Sequence, residues 1–297
     1  MAEASRRVRP AKAEAPVGAA MERLFAFSDR DFRRVCSLIH EHAGISLGPH
    51  KSDMVYSRLV RRVRAGGFPT FAAYLDTLER DDGEEWQAFV NALTTNLTSF
   101  FREAYHFDDL ASHLRAWQSK GPRDTPLTIW CAAASTGEEP YSLAITACEA
   151  FGSLSPPVRI IATDIDTQVL ETAMRGVYAL DRITALSDER RQAFFQRGSG
   201  PQAGHCRVKP ALSALIEFRA LNLLDDNYPI PGGLAAIFCR NVMIYFDKPT
   251  QYRLLQRMTP LLGPEGRLYA GHSESFSHAA DVVSPCGRTI YRPVSRG

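Results

Sequence analysis

The sequence contains no C-x-x-C pair, and none of its six cysteines (Cys36, Cys131, Cys148, Cys206, Cys239 and Cys286) meets histidines at zinc-finger spacing. Thiols scattered in this way fit a reduced, cytosolic setting and argue against a disulfide framework or a metal site. Strong charge of either sign is also missing. Lys and Arg number 35 against 33 Asp and Glu, a formal +2, too balanced for a surface devoted as a whole to nucleic acid, so any basic partner site must be local. The first 20 residues lack the apolar core of a signal peptide, and no later apolar run approaches the ~20 residues that span a bilayer. These absences predict a soluble cytoplasmic protein with no direct membrane insertion. No internal repeat recurs along the chain.

What is present is ordinary globular usage, 45% hydrophobic and 23% charged over 297 residues, a length that favours two unequal domains. Residues 1–21 hold few large apolar side chains and read as a disordered leader. From Phe25 to Asp109 the pattern is helical. Phe32, Val35, Cys36, Ile39 and His40 fall on one face and Phe71, Tyr74, Leu75 and Leu78 on another, with stops at Gly44, Gly48-Pro49 and Gly66-Gly67. After Pro126, β-rich runs (LTIWCAA, VRIIATDI, IEFRALNL, LAAIFCRNVMIYF, GRLYAGHS) alternate with helical ones, which implies right-handed crossovers and a parallel, doubly wound sheet. About fifty residues separate Asp166 from Ile216, too many for one helix. Within them FFQRGSGPQAGHCRVK, with Gly198, Gly200, Pro201 and Gly204, reads as an inserted glycine-rich hairpin of the kind that contacts partners. The expected division is a leader at 1–21, a helical domain at 22–95 and a sheet domain at 96–297 with the insertion at about 178–215.

The first strand–helix turn, Ala132 to Gly137, is built of small residues but lacks G-x-G-x-x-G, and Glu138-Glu139 stand where a dinucleotide pyrophosphate would meet a helix N-terminus. Carboxylates repel phosphate and suit a cationic ligand; S-adenosylmethionine carries a sulfonium and an ammonium. About 25 residues on, a strand ends in Asp164 and Asp166, each either a ribose-binding acid or a helix N-cap. Asn222-Leu223-Leu224 offers a polar and an apolar group to bracket an adenine. Arg240, inside an apolar run, requires partners and is either part of the site or a structural ion pair. The segment from Thr94 to Glu103, dense in hydrogen-bonding groups, lies at the domain junction, a favoured ligand position; its Phe100 and Phe101 are core or exclude water. The helix near Pro49 carries Lys51, Arg58, Arg61, Arg62 and Arg64 against Asp53. It is a solvated face, or a dock for an acidic helix or a nucleic-acid backbone.

In order, the segments NALTTNLTSFFREAYHF, AASTGEEPYSLAI, ATDIDTQVLETA, NLL, FCRNVMIYFDK and GHSESF resemble the motifs of the chemotaxis receptor methyltransferases, over about Phe27 to Pro293. The resemblance implies a Rossmann-like class I SAM-dependent methyltransferase domain with a small inserted antiparallel β-subdomain, preceded by a small all-α domain. The implied activity is transfer of a methyl group from S-adenosyl-L-methionine to receptor glutamates, leaving S-adenosyl-L-homocysteine. Carried over by motif, the cofactor contacts are Asn96, Thr98, Arg102, one of Glu138 and Glu139 (Glu139 favoured), Asp164, Asn222, Leu223, Arg240 and Asn241. The implied partners are the cytoplasmic helices of methyl-accepting receptors, met by Arg58, Arg61 and Arg62, and a receptor C-terminal peptide tether at the hairpin of Gly198, Gly200 and Gly204.

A substrate glutamate is ionised at pH 7 and needs no general base, so Arg102 and Tyr245 are expected to orient it. No metal is called for, and a monomer is expected. Two other readings compete. One is a nucleic-acid methyltransferase gripping phosphates with the basic helix, although CRNVMIYF lacks the Asn/Asp-Pro-Pro-aromatic loop of many base methylases. The other is a non-catalytic adapter that senses the cofactor.

Overall fold

The structure is a computed structural model describing residues 24–80, 83–120 and 125–294; the leader expected at 1–21 lies outside them. Helix α1 (Asp29–Ala43) opens with a capping box: the Asp31 N–H donates to Ser28 Oγ and the Ser28 N–H to Asp31 Oδ2. It closes at Gly44, in the left-handed region. Helices α2 (Ser52–Ala65), α3 (Phe71–Leu78) and α4 (Glu84–Leu93) complete an all-helical domain. Its own core gathers Val35, Ile39, Leu59, Val63, Phe71, Tyr74 and Phe89. The face expected on α1 is narrower than the periodicity suggested, because His40 is exposed, near Asp247. Helix α5 (Tyr105–Gln118) crosses to the other core, burying Phe107, Leu110 and Leu114 against the sheet.

Strand β1 (Leu127–Cys131), helix α6 (Glu138–Phe151), β2 (Val158–Asp164) and α7 (Thr167–Arg175) begin the sheet domain. Next come β3 (Val177–Ala179), α8 (Asp188–Phe194), β4 (Phe195–Arg197), β5 (His205–Val208) and α9 (Pro210–Ser213). The domain ends with β6 (Ile216–Ala220), β7 (Leu234–Phe238), α10 (Lys248–Met258), β8 (Leu262–Tyr269), β9 (Val283–Gly287) and β10 (Ile290–Pro293). The large sheet runs β6-β2-β1-β7-β8-β10-β9. Its first five strands are parallel, and β10 is antiparallel to both β8 and β9. The expected all-parallel sheet is corrected at this edge: a tight turn through Thr289 (φ 52) joins β9 to β10, and only antiparallel neighbours can be joined so closely.

The run LAAIFCRNVMIYF is not one strand either. Beyond β7 the Cys239 N–H makes a last bond to Tyr269 O, the backbone turns left-handed at Asn241, and Met243–Tyr245 forms a 3₁₀ turn. The inserted hairpin is present as β4 and β5, which with β3 make a separate antiparallel sheet ordered β3-β5-β4. Its Tyr178, Phe195, Cys206 and Val208 share the core of α6, so the insert is a fixed layer of the molecule. No helix among the described residues is long and apolar enough to cross a membrane.

Candidate active site

Strand order reverses between β1 and β7, so the crevice of an open α/β sheet lies beyond their carboxyl ends. A cavity of about 300 Å³ opens there. Its floor comes from residues after β1, β2, β6 and β7; its roof comes from the stretch between Ala43 and Met54 and from the linker through Asn96 and Thr98.

Asp164 and Asp166, indistinguishable in the sequence, separate cleanly. Asp164 lies on the cavity wall, 8% exposed, and its carboxylate accepts the Ser135 N–H (2.8 Å) and the Asp166 N–H (2.9 Å). Burial pushes this carboxyl up to about 6, against the pull of those N–H groups. Asp166 is the N-cap of α7: it accepts the Gln168 and Val169 N–H groups on one oxygen, and Thr94 Oγ1 and Asn96 Nδ2 on the other. The domain linker is thereby tied to the start of α7.

The two adjacent glutamates also part. Glu139 faces the cavity; its carboxylate accepts Arg240 Nη1 (2.7 Å) and the Cys131 thiol (3.3 Å). Burial pushes Glu139 up more than the Arg240 guanidinium pulls it down. Glu138, 1% exposed, turns the other way to accept Thr136 Oγ1 and the Arg182 guanidinium. Arg240 has a wholly buried side chain and is both things the sequence allowed, a cavity wall and an ion pair, since its other amine meets Glu103 (3.1 Å) and Arg102 O. Burial pushes Glu103 up, but His272 and Arg240 together outweigh it and hold the carboxyl at about 2.

Asn241, left-handed at φ 58, donates its side chain to Glu103 and its N–H to Glu274. Sequence reasoning assigned Glu274 no role. Buried at 4% exposure, it accepts the N–H groups of Asn241, Ile244 and Gly271, clamping the loop after β7. In the sequence it stands inside the GHSESF motif as an acid flanked by small residues after a strand. Asn222 lines the cavity, donating to His42 O (2.6 Å) and accepting the Leu224 N–H. Leu223, Asn96, Thr98, Arg102 and Tyr245 line it too; Arg102 donates to Leu97 O, and Tyr245 O accepts the Ser46 N–H.

Other singled-out residues lie apart from this cavity. Arg58 donates to Leu93 O and Thr94 O, and Arg62 pairs with Glu85, so of the four arginines on α2 only Arg61 and Arg64 are exposed. Gly198 borders a second, shallow groove with Arg197, His205 and Arg207; Gly200 and Gly204 lie in the same β4–β5 loop.

Residues 30–94 match the family model described as CheR methyltransferase, all-alpha domain, and residues 96–292 match CheR methyltransferase, SAM binding domain. The chain belongs to the CheR methyltransferase family. Relatives in that family span nearly its whole length. The chemotaxis protein methyltransferase of Salmonella typhimurium is 52% identical over 272 residues, 91% of this chain and 92% of its own. Chemotaxis protein methyltransferase 2 of Pseudomonas aeruginosa is 54% identical, with 91% and 95% covered. The Escherichia coli chemotaxis protein methyltransferase is 50% identical, with 91% and 92% covered.

A CheR methyltransferase uses S-adenosylmethionine, and the cavity fits it. The Ser135 N–H, which would meet a phosphate in a dinucleotide site, is taken by Asp164, and α6 opens with two carboxylates. That arrangement rejects a pyrophosphate and accepts a cationic adenosyl donor.

Proposed function

We propose that this S-adenosylmethionine-dependent methyltransferase esterifies side-chain carboxylates of glutamates on bacterial chemoreceptors, yielding glutamate methyl esters and S-adenosylhomocysteine, and that it acts in the cytoplasm as a monomer. The observation that carries the reading is a cavity with buried acids on its floor and Arg102 and Tyr245 on its wall, in a chain whose relatives are chemotaxis protein methyltransferases. The division into units at 22–95 and 96–297, with the insert at about 178–215, belongs to the same proposal.

When bound, the cofactor supplies an electrophilic methyl group. Asp164 would accept hydrogen bonds from ribose hydroxyls, Glu139 would face the ammonium end, and Leu223 with the backbone at Asn222 would border the adenine. Arg240 holds Glu139 in place through its 2.7 Å bond; Asn96, Thr98 and Asn241 shape the remaining wall. The incoming glutamate needs no base, because its reference pKa of about 4.3 leaves it ionised at pH 7. Arg102 and Tyr245 hold that carboxylate for in-line attack, and placement of this kind contributes several kcal/mol. The acidic methylation helices of the receptor dock beside α2, where Arg61 is exposed while Arg58 and Arg62 stiffen the surface from within. The groove at Gly198 takes a receptor C-terminal tether.

The test is radiolabelled methyl transfer to receptor-containing membranes, with release of volatile methanol on base treatment. Tyr245→Phe lowers kcat about tenfold or more with S-adenosylhomocysteine affinity unchanged, while Arg102→Ala lowers both. Full turnover in both variants overturns the assignment of these two residues, and absence of base-labile label overturns the ester.

A further inference from the structure

The insert reaches the cofactor cavity at one point that neither the fold nor the reaction requires. Arg182, in the short 3₁₀ turn Leu180–Ile183 after β3, donates through a single amine, Nη2, to Thr98 O (2.9 Å) and to the Glu138 carboxylate. Among the described residues nothing else bonds to Thr98 O, and the neighbouring Leu97 is 78% exposed. The segment that carries Asn96, Thr98 and Arg102 to the cavity is also held by Ser135 Oγ on Asn96 O (3.0 Å) and by the Phe101 N–H on Ser142 Oγ (2.9 Å), and Arg182 adds the bond at Thr98 between them.

The same module grips the neighbourhood in three further places. Tyr178 of β3 donates to Thr136 O (2.8 Å) in the cofactor turn, and Phe100 packs edge-on to Tyr178 and Phe195 at 5.1 and 5.4 Å between ring centres. Arg190 of α8 lies 4.0 Å over the Phe101 ring while paired with Glu149. We infer that Arg182 is a positioning residue for the cofactor site, fixing the Thr98 carbonyl against the start of α6, so that the insert buttresses the cavity from behind. The inference rests on the reading of the Asn96–Arg102 segment as cavity wall.

A simpler role is possible on charge alone, because Glu138 is buried and Arg182 is its cation. The two roles come apart in a double variant. Arg182→Ala orphans the Glu138 carboxylate and lowers the melting temperature; adding Glu138→Gln removes the buried charge and recovers most of that loss. Thr98 O still lacks its donor in the double variant, so S-adenosylhomocysteine affinity by calorimetry stays about tenfold below wild type. The KM for the methyl donor rises to match, with kcat at saturation within about twofold. Arg182→Lys, which keeps the cation, restores melting temperature and part of the affinity. Recovery of affinity along with stability in the double variant overturns the inference, leaving Arg182 as a counter-ion only. Loss of affinity in Asp164→Asn but not in Arg182→Ala overturns the inference alone, and wild-type affinity in both overturns the reading of the cavity as well.

Discussion

Asp164 shows what burial does to one carboxylate. In its proposed role Asp164 accepts ribose hydroxyls best when ionised, yet burial pushes its carboxyl up to about 6. S-adenosylhomocysteine affinity is therefore expected to fall as pH drops through about 6, measured by calorimetry from pH 8 to 5. Stability has the opposite sign. Folding raises this acid above its ordinary 3.8, so the folded state binds the proton more readily and the contribution of Asp164 to stability declines between about pH 4 and 6 as pH rises. Asp164→Asn removes the pH step and weakens binding about 10- to 100-fold, the worth of a hydrogen bond to a charged group; an unchanged pH step would assign the titration elsewhere. The residue types at this site were legible in the sequence, but their division of labour was not. Asp166 is committed by Thr94, 72 positions away, and Glu138 by Arg182, 44 positions away, partnerships that no local pattern encodes. Glu274, though inside the GHSESF motif, had no legible role because its partners are backbone N–H groups, which leave no side-chain signature.

At the scale of elements, the alternation of strands and helices and the glycine-rich insert could be read directly, since period and turn chemistry are local. The two corrections have a common cause: β9 and β10 pair by a turn in a region without helical spacing, and β7 stops where its ladder to β8 runs out, while the apolar run continues into a 3₁₀ turn. Gly137 is the hinge of the cofactor turn. It holds φ 100, and a Cβ there would come within 2.6 Å of Tyr178 Oη and 2.9 Å of Ala173 Cβ. Gly137→Ala should cost about 2–3 kcal/mol, combining left-handed strain with overpacking, seen as a lower urea midpoint. A midpoint within error of wild type would mean that β3 yields, and that the insert is a softer support than its packing indicates.

Across the whole molecule, the cavity is a joint between two units, held by the Asn222 side chain on His42 O, the Ser46 N–H on Tyr245 O and Phe246 packed against Gly44. Asn222→Ala should weaken S-adenosylhomocysteine binding about fivefold to tenfold, one lost hydrogen bond's worth, with kcat at saturating donor nearly unchanged. Equal loss in kcat would mean that Asn222 acts on the reacting carboxylate instead. The sequence placed Asn222 at the site but not this bond, because the helical unit and the strand edge are 180 residues apart. Arg58 and Arg62, read as part of an outward basic face, turn out to brace α2 against α4 and the linker, which leaves Arg61 and Arg64 as the exposed cations of that helix.

The roof of the cavity, between Ala43 and Met54, leaves the ribosome long before its floor, whose last pieces are Tyr245 and Phe246. About two hundred residues of chain separate the two, and the early helices keep a core of their own above the sheet. The cavity therefore has no complete wall until the stretch through Phe246 is in place.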